Sequence, residues 1–319
     1  MHLSPVVFAS FMEYPKNQVE FERKFSSDEE CREYLQKLKF PSGFICSRCQ
    51  HTDFWKQTRG RLTCANCNWE VSPLAGTVFQ KSHVPLTLWF RACWWMTNQK
   101  QGVNALGLQR ALGLGSYRTA WLMLQKLRNA MVRPGRELLK GELEVDEIYI
   151  GGPEVEGKKY RSTKQLILIA VEKSGSSIGR IRMKFIASTS TTILVGAIKE
   201  MIEPGSLLHT DGWRGYNAIT DYGYKHQANQ TPSNRKQKRE KNILPLVHRV
   251  SSLFKRWILG TYQGRIDPKH LPQYLDEFVF RFNRRTSRSR GLLFQRLLEN
   301  SVQVKPRTYQ TIIKPTQHY

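Results

Sequence analysis

The chain has 319 residues, 40% of them hydrophobic, enough to bury a sizeable core and to divide into two or three domains. Its 50 lysines and arginines against 26 acids leave a net charge of +24, far more than solubility needs, so the composition points to a polyanionic partner. No apolar run approaches the ~18 residues of a bilayer span, and MHLSPVVFASFMEYPKNQ has no basic stretch before its apolar residues; neither a membrane span nor a signal peptide is expected, and a reducing cytoplasmic compartment follows.

Residues 1–40 read as an N-terminal helical segment, with SSDEECREYLQKLK a short helix capped by Ser26 or Ser27 and acids in its first turn. Residues 41–78 read as a zinc ribbon. Cys46-x2-Cys49 and Cys64-x2-Cys67 each offer two thiolates from a tight knuckle, and two knuckles complete a tetrahedron around a structural Zn²⁺. A redox role would need only one such pair, while Cys31 and Cys93 lie alone in helix-like contexts and are expected to be packed.

From 79 to 135 the pattern is helical. Two helices joined by Leu112-Gly113-Leu114-Gly115 suit a helix-turn-helix whose second helix starts near Ser116 and carries Tyr117, Arg118, Lys126 and Arg128 toward DNA, with Arg118 in reach of a base edge. An ordinary three-helix packing unit has the same apolar spacing.

After Pro134 the chain changes character. ELEVDEIYIGG, QLILIAV and GRIRMKFIA read as strands, TTILVGAIKEMI as a helix, GSLLHTDGW as another strand, NQTPSNRKQKREKN as a basic loop, and LVHRVSSLFKRW as a helix. That order predicts one α/β domain over 140–262, followed by a C-terminal helical extension and basic tail over 263–319. On the last of these helices His248 and Lys255 lie seven residues apart, nearly two turns, and so point almost the same way, off the apolar face.

Asp146 stands in the first of these strands and Asp211 at the end of the fourth. Carboxylates buried in strands are costly unless a cation neutralises them, and two Mg²⁺ ions held by acids and bridged by a phosphate are a recurrent arrangement for in-line attack on a phosphodiester. In the plainer alternative Asp211 caps the turn TDGW and Asp146 faces solvent.

Together CSRCQ…CANC with SPLAGTVF, ALGLGSYRTAWLMLQKLR, EVDEIYIGG, HTDGWRGY, HRVSSLFKRWILGTYQG and YLDEFVFRFNRR resemble the insertion-sequence transposases of the ISXO-type class, over roughly residues 20–295. The resemblance implies an N-terminal zinc ribbon followed by an RNase H-like (retroviral-integrase-like) DDE-type catalytic domain, with Asp146 and Asp211 as ligands of two catalytic Mg²⁺ or Mn²⁺ ions. It also implies a third catalytic position on a helix, with a lysine seven residues beyond. His248, 37 residues after Asp211, and Lys255 match that spacing. Histidine stands where many such enzymes carry glutamate; its imidazole is a softer ligand suited to Mn²⁺, and Glu240, Asp276 or Glu277 are the alternative oxygen donors.

Arg235, Lys236, Lys238 and Arg239 before the His248 helix, with Arg284 and Arg285 after DEFVF, read as a grip on the DNA backbone, and Lys255 as a phosphate contact. The function expected is a DNA transposase that cleaves the ends of its element and joins the 3′-OH ends to target double-stranded DNA, as a homodimer or larger assembly. A non-catalytic DNA-binding regulator, or an inactive transposase relic, is the competing reading.

Overall fold

The structure, a computed structural model, describes residues 13–58, 60–151, 164–229, 243–264 and 266–314. Its backbone divides at Gly135 and Thr286: one unit takes the chain up to Gly135 together with 287–314, and the other spans Arg136–Thr286. The stretch 263–319, read from sequence as one extension, is therefore shared between the two.

In the first unit, α1 (Gln18–Lys24) is followed by α2 (Asp28–Lys39). Helix α2 opens with a reciprocal capping box: Ser27 Oγ accepts the Glu30 N–H and the Glu30 carboxylate accepts the Ser27 N–H at 2.9 Å. A small antiparallel sheet follows, β1 (Phe54–Lys56), β2 (Leu62–Cys64) and β3 (Glu70–Val71), in that spatial order. Then come α3 (Leu86–Asn98), α4 (Ala105–Leu112) and α5 (Tyr117–Asn129). Gly113 ends α4 in the left-handed conformation at φ 60°, which glycine adopts without steric cost, and Ser116 caps α5 by accepting the Arg118 N–H.

The helices α9 (Arg290–Gln303) and α10 (Tyr309–Ile313) return to this unit. Phe294 of α9 is fully buried and meets Phe21, Phe25, Phe90 and Trp94, each ring centroid 5.5–5.8 Å away. Gly291 is required nearby, because a Cβ there would lie 1.7 Å from the Pro15 carbonyl oxygen.

The second unit is a mixed five-stranded sheet with helices on both faces. Its strands are β4 (Glu142–Ile150), β5 (Gln165–Ser174), β6 (Ser177–Ile186), β7 (Leu207–Thr210) and β8 (Lys225–Ala228), in the order β6-β5-β4-β7-β8. β4, β5 and β6 pair antiparallel, while β7 runs parallel to β4 and β8 parallel to β7. Alternation along β5 explains the unbroken apolar run seen in the sequence. Leu166, Leu168 and Ala170 join the core beneath α6 (Thr191–Met201) and the 3₁₀ segment Arg214–Tyr222. Ile167, Ile169 and Val171 join the opposite core under α7 (Pro245–Tyr262) and α8 (Leu271–Phe282). Among the described residues no helix is long and apolar enough to cross a membrane.

Candidate active site

The same alternation sorts the side chains of β4. Leu143 and Val145 belong to the α6 core and Ile148 to the α7 core, so Glu144 and Asp146 face α7 while Glu147 faces the other way. β4 and β7 pair in parallel with Glu142 opposite Leu207 and Glu144 opposite His209. Continuing that register past the strand end sets Asp211 level with Asp146. Asp211 is exposed, and one of its carboxylate oxygens accepts the Trp213 N–H at 3.0 Å, closing a turn in which Gly212 has φ 84°. Turn chemistry and placement beside Asp146 thus coexist in one residue.

Burial pushes the Asp146 carboxyl up to about 6; the Glu147 N–H that it accepts opposes this, and the charges of Asp211 and Glu144 add to the rise. Glu147 is raised to about 7, again by burial first, against the hydrogen bond donated by the Tyr216 hydroxyl at 2.7 Å. Negative charge is therefore crowded about the central strand β4 of a protein whose net charge is +24.

Helix α7 carries His248 to the same place. Its Nε2 lies 3.5 Å from Asp146 Oδ2, and its side chain is 49% exposed. Lys255 is exposed two turns further along. Glu144, which the sequence reading passed over, is buried and accepts the N–H groups of Leu246 and Val247 at 2.8 and 3.0 Å. The signal for it was its parity: an acid two residues before Asp146 on a strand must share its face.

The other oxygen donors considered lie elsewhere. Glu277 is fully buried, bonded to Arg281 Nε at 2.9 Å and to the Tyr262 hydroxyl at 3.2 Å. Asp276 interacts electrostatically with Arg136. Glu240 falls outside the described residues. Glu277→Ala is expected to lower stability by about 3–5 kcal/mol, since it removes a fully buried carboxylate bonded to Arg281 and Tyr262, and a urea melt measures this. A variant that melts like the native protein yet cuts no DNA would restore Glu277 as a candidate ligand.

The expected DNA contacts divide. Arg128 is corrected: it is 1% exposed, inside the helical unit, where no phosphate reaches it. Arg118 stacks on Tyr309 at 4.2 Å, and the Lys126 ammonium lies 5.9 Å from the Trp89 ring centre, half-buried, with its pKa lowered by burial. Arg285 donates to the carbonyls of Ile178, Gly179 and Phe282, and Arg284 stacks on Phe280 at 4.1 Å, so both close the end of α8. Arg235, Lys236, Lys238 and Arg239 fall outside the described residues.

Cys46, Cys49, Cys64 and Cys67 meet with all four sulfurs within 4.8 Å of one another. The two knuckles share one backbone path. Gln50 and Asn68, four residues after each leading cysteine, are left-handed at φ 62° and 54° and donate to the Cys46 and Cys64 carbonyls, while Cys46 and Cys64 donate to His51 and Trp69. Sulfur separations of 3.6 Å (Cys46–Cys67) and 3.5 Å (Cys49–Cys64) suit a zinc ion, whose ~2.3 Å bonds set tetrahedral edges of about 3.8 Å. Among the described residues the four cysteines are the group of potential ligands drawn together in this way. Strands of two and three residues cannot hold the ribbon alone. Cys64→Ser is therefore expected to lose the single zinc and to open 41–71 to protease while sparing the five-stranded unit; metal analysis and limited proteolysis check it, and a zinc-free native protein would refute it.

Comparison with known proteins agrees with both halves. Residues 138–283 match the ISXO2-like transposase domain and residues 26–70 the transposase zinc-ribbon domain. A relative in Halobacterium salinarum, an uncharacterized protein in transposable element ISH50, is 25% identical over 132 residues, 40% of this chain and 44% of that protein. The chain thus spans less than half the length of that relative. With the cysteine quartet ahead of the mixed sheet, in the order these two domains require, the chain belongs to the insertion-sequence transposases of the ISXO-type class.

Proposed function

We propose that the protein is a DNA transposase that binds the terminal repeats of its element, hydrolyses a phosphodiester at each end, and joins the freed 3′-OH to target DNA. The observation that carries this reading is the placing of Asp146, Asp211 and His248 about the central β4–β7 pair: parallel register sets the two acids level, and α7 brings the imidazole to 3.5 Å from Asp146. The strand order, three antiparallel strands followed by two parallel ones beyond β4, supports an RNase H-like reading of the sheet.

Two hard carboxylates and an imidazole, with the Asp146 carboxyl raised by burial and by neighbouring charge, fit a divalent cation, which would offset that repulsion. A pair of Mg²⁺ or Mn²⁺ ions, when bound, supplies Lewis acidity for in-line displacement at phosphorus. The protein's own residues then do the rest. Asp146, Asp211 and His248 would hold the cations, His248 from the helix side, and Lys255 would offer an exposed ammonium to a neighbouring phosphate. The two helices joined at Gly113 are read as the helix-turn-helix that contacts the element end, with Arg118 and Lys126 on its second helix. Pairing of two ends calls for a dimer or larger assembly on the DNA.

The test is direct. Labelled duplex spanning the DNA that flanks the coding region, incubated with the protein and Mg²⁺ or Mn²⁺, is expected to yield a nick with a 3′-OH and then strand-transfer products. Binding with no cleavage under either metal would favour the DNA-binding regulator or relic instead.

A further inference from the structure

Helix α7 begins without a cap of its own. Leu244, at the N-cap position, makes no side-chain bond, and Pro245 has no N–H to satisfy. The His248 N–H reaches the Leu244 carbonyl at 3.1 Å. That leaves the N–H groups of Leu246 and Val247, and both are accepted by one oxygen of Glu144, 102 and 103 residues away in sequence. A carboxylate at this end also meets the positive pole of the helix, in a setting from which water is largely excluded.

Glu144 is itself immobile. Its backbone lies in the middle of the sheet, opposite Val171 of β5 on one side and His209 of β7 on the other. Two residues further along the same strand face stands Asp146; one residue beyond the anchored Val247 stands His248.

We propose that Glu144 is a positioning residue that fixes the first turn of α7 to β4 and thereby sets the separation of His248 from Asp146. This rests on the transposase reading of the site. A helix that slides or turns by a fraction of its ~1.5 Å per-residue rise would carry the imidazole away from its partner, and misplacement by about 1 Å can cost up to ~100-fold in rate.

Two substitutions in the full-length protein separate the oxygen from the charge. Glu144→Gln keeps an acceptor oxygen at the same reach and loses the charge; Glu144→Asp keeps the charge and withdraws the oxygen by one methylene. With the flanking-DNA duplex and titrated Mn²⁺, Glu144→Gln is expected to cleave within about threefold of wild type at an unchanged half-saturating Mn²⁺, whereas Glu144→Asp falls about 10–100-fold and needs more Mn²⁺. The reverse order, with Gln inactive and Asp active, would make Glu144 a metal ligand and overturn the proposal. Any other order, including equal activity of all three proteins, also overturns it. Amide hydrogen exchange over Leu246–Val250 needs no DNA: it is expected to quicken in Glu144→Asp and to stay slow in Glu144→Gln. Should wild type cut no DNA while that exchange order holds, the transposase reading fails and the anchoring stands.

Discussion

Asp146→Asn and Asp211→Asn are each expected to reduce strand cleavage about 10³-fold or more, equivalent to ~4 kcal/mol of lost transition-state stabilisation, while DNA binding stays within about threefold of wild type. The asymmetry follows from where the free energy resides. Affinity for a duplex, in the proposed function, comes from a chain with a net charge of +24, and removing one negative charge from it does not weaken that attraction. Catalysis, in the proposed function, rests on the two acids that the β4–β7 register sets level. Folding is spared in both cases, because Asp211 is exposed, and at Asp146 the neutral amide removes the charge that burial disfavours. Gel-shift and denaturing-gel assays on the same DNA read the two effects separately. Loss of binding in step with cleavage would point to a folding defect, and cleavage undiminished in both variants would remove the acids from the chemistry altogether.

His248→Ala is expected to lose cleavage about 10–100-fold, and His248→Glu to recover part of it with preference shifted from Mn²⁺ toward Mg²⁺. The side chain is half exposed and packs in neither core, so both variants should melt like wild type and the comparison isolates the ligand. Glutamate brings a hard oxygen and a third negative charge close to Asp146, where acids already crowd; tighter metal binding offsets that repulsion only when the metal is present. An alanine variant that cleaves like wild type would leave the third donor to another residue, and α7 would then serve the DNA alone.

Much of this architecture was legible in the chain because its signals are local. The C-x2-C knuckles fix a metal tetrahedron by spacing, and the apolar run of β5 announces a strand covered on both faces. What escaped depends on contacts distant in sequence. β8 is a polar edge strand, Lys-His-Gln-Ala, with no apolar alternation to mark it. Arg128 sits in the last turn of an amphipathic helix, where a basic residue ordinarily meets solvent, yet it points inward. Glu144 looked like one more acid in ELEVDE until α7 arrived at its carboxylate, and the return of Phe294 to the aromatic core leaves no trace in local pattern.

That return has a bearing on how the chain is made. A ribosome emits Phe21, Phe25, Phe90 and Trp94 early, but the ring that fills the space among them comes only after the whole five-stranded unit between Arg136 and Thr286. At translation speeds of about 5–20 residues per second, the interval is on the order of ten to forty seconds. During it the nascent amino-terminal half carries an unfilled aromatic hollow, a natural client for a chaperone, while the sheet has all its own strands and can fold first. A message cut short after Thr286 would encode an intact sheet behind an amino-terminal unit that never finishes its core.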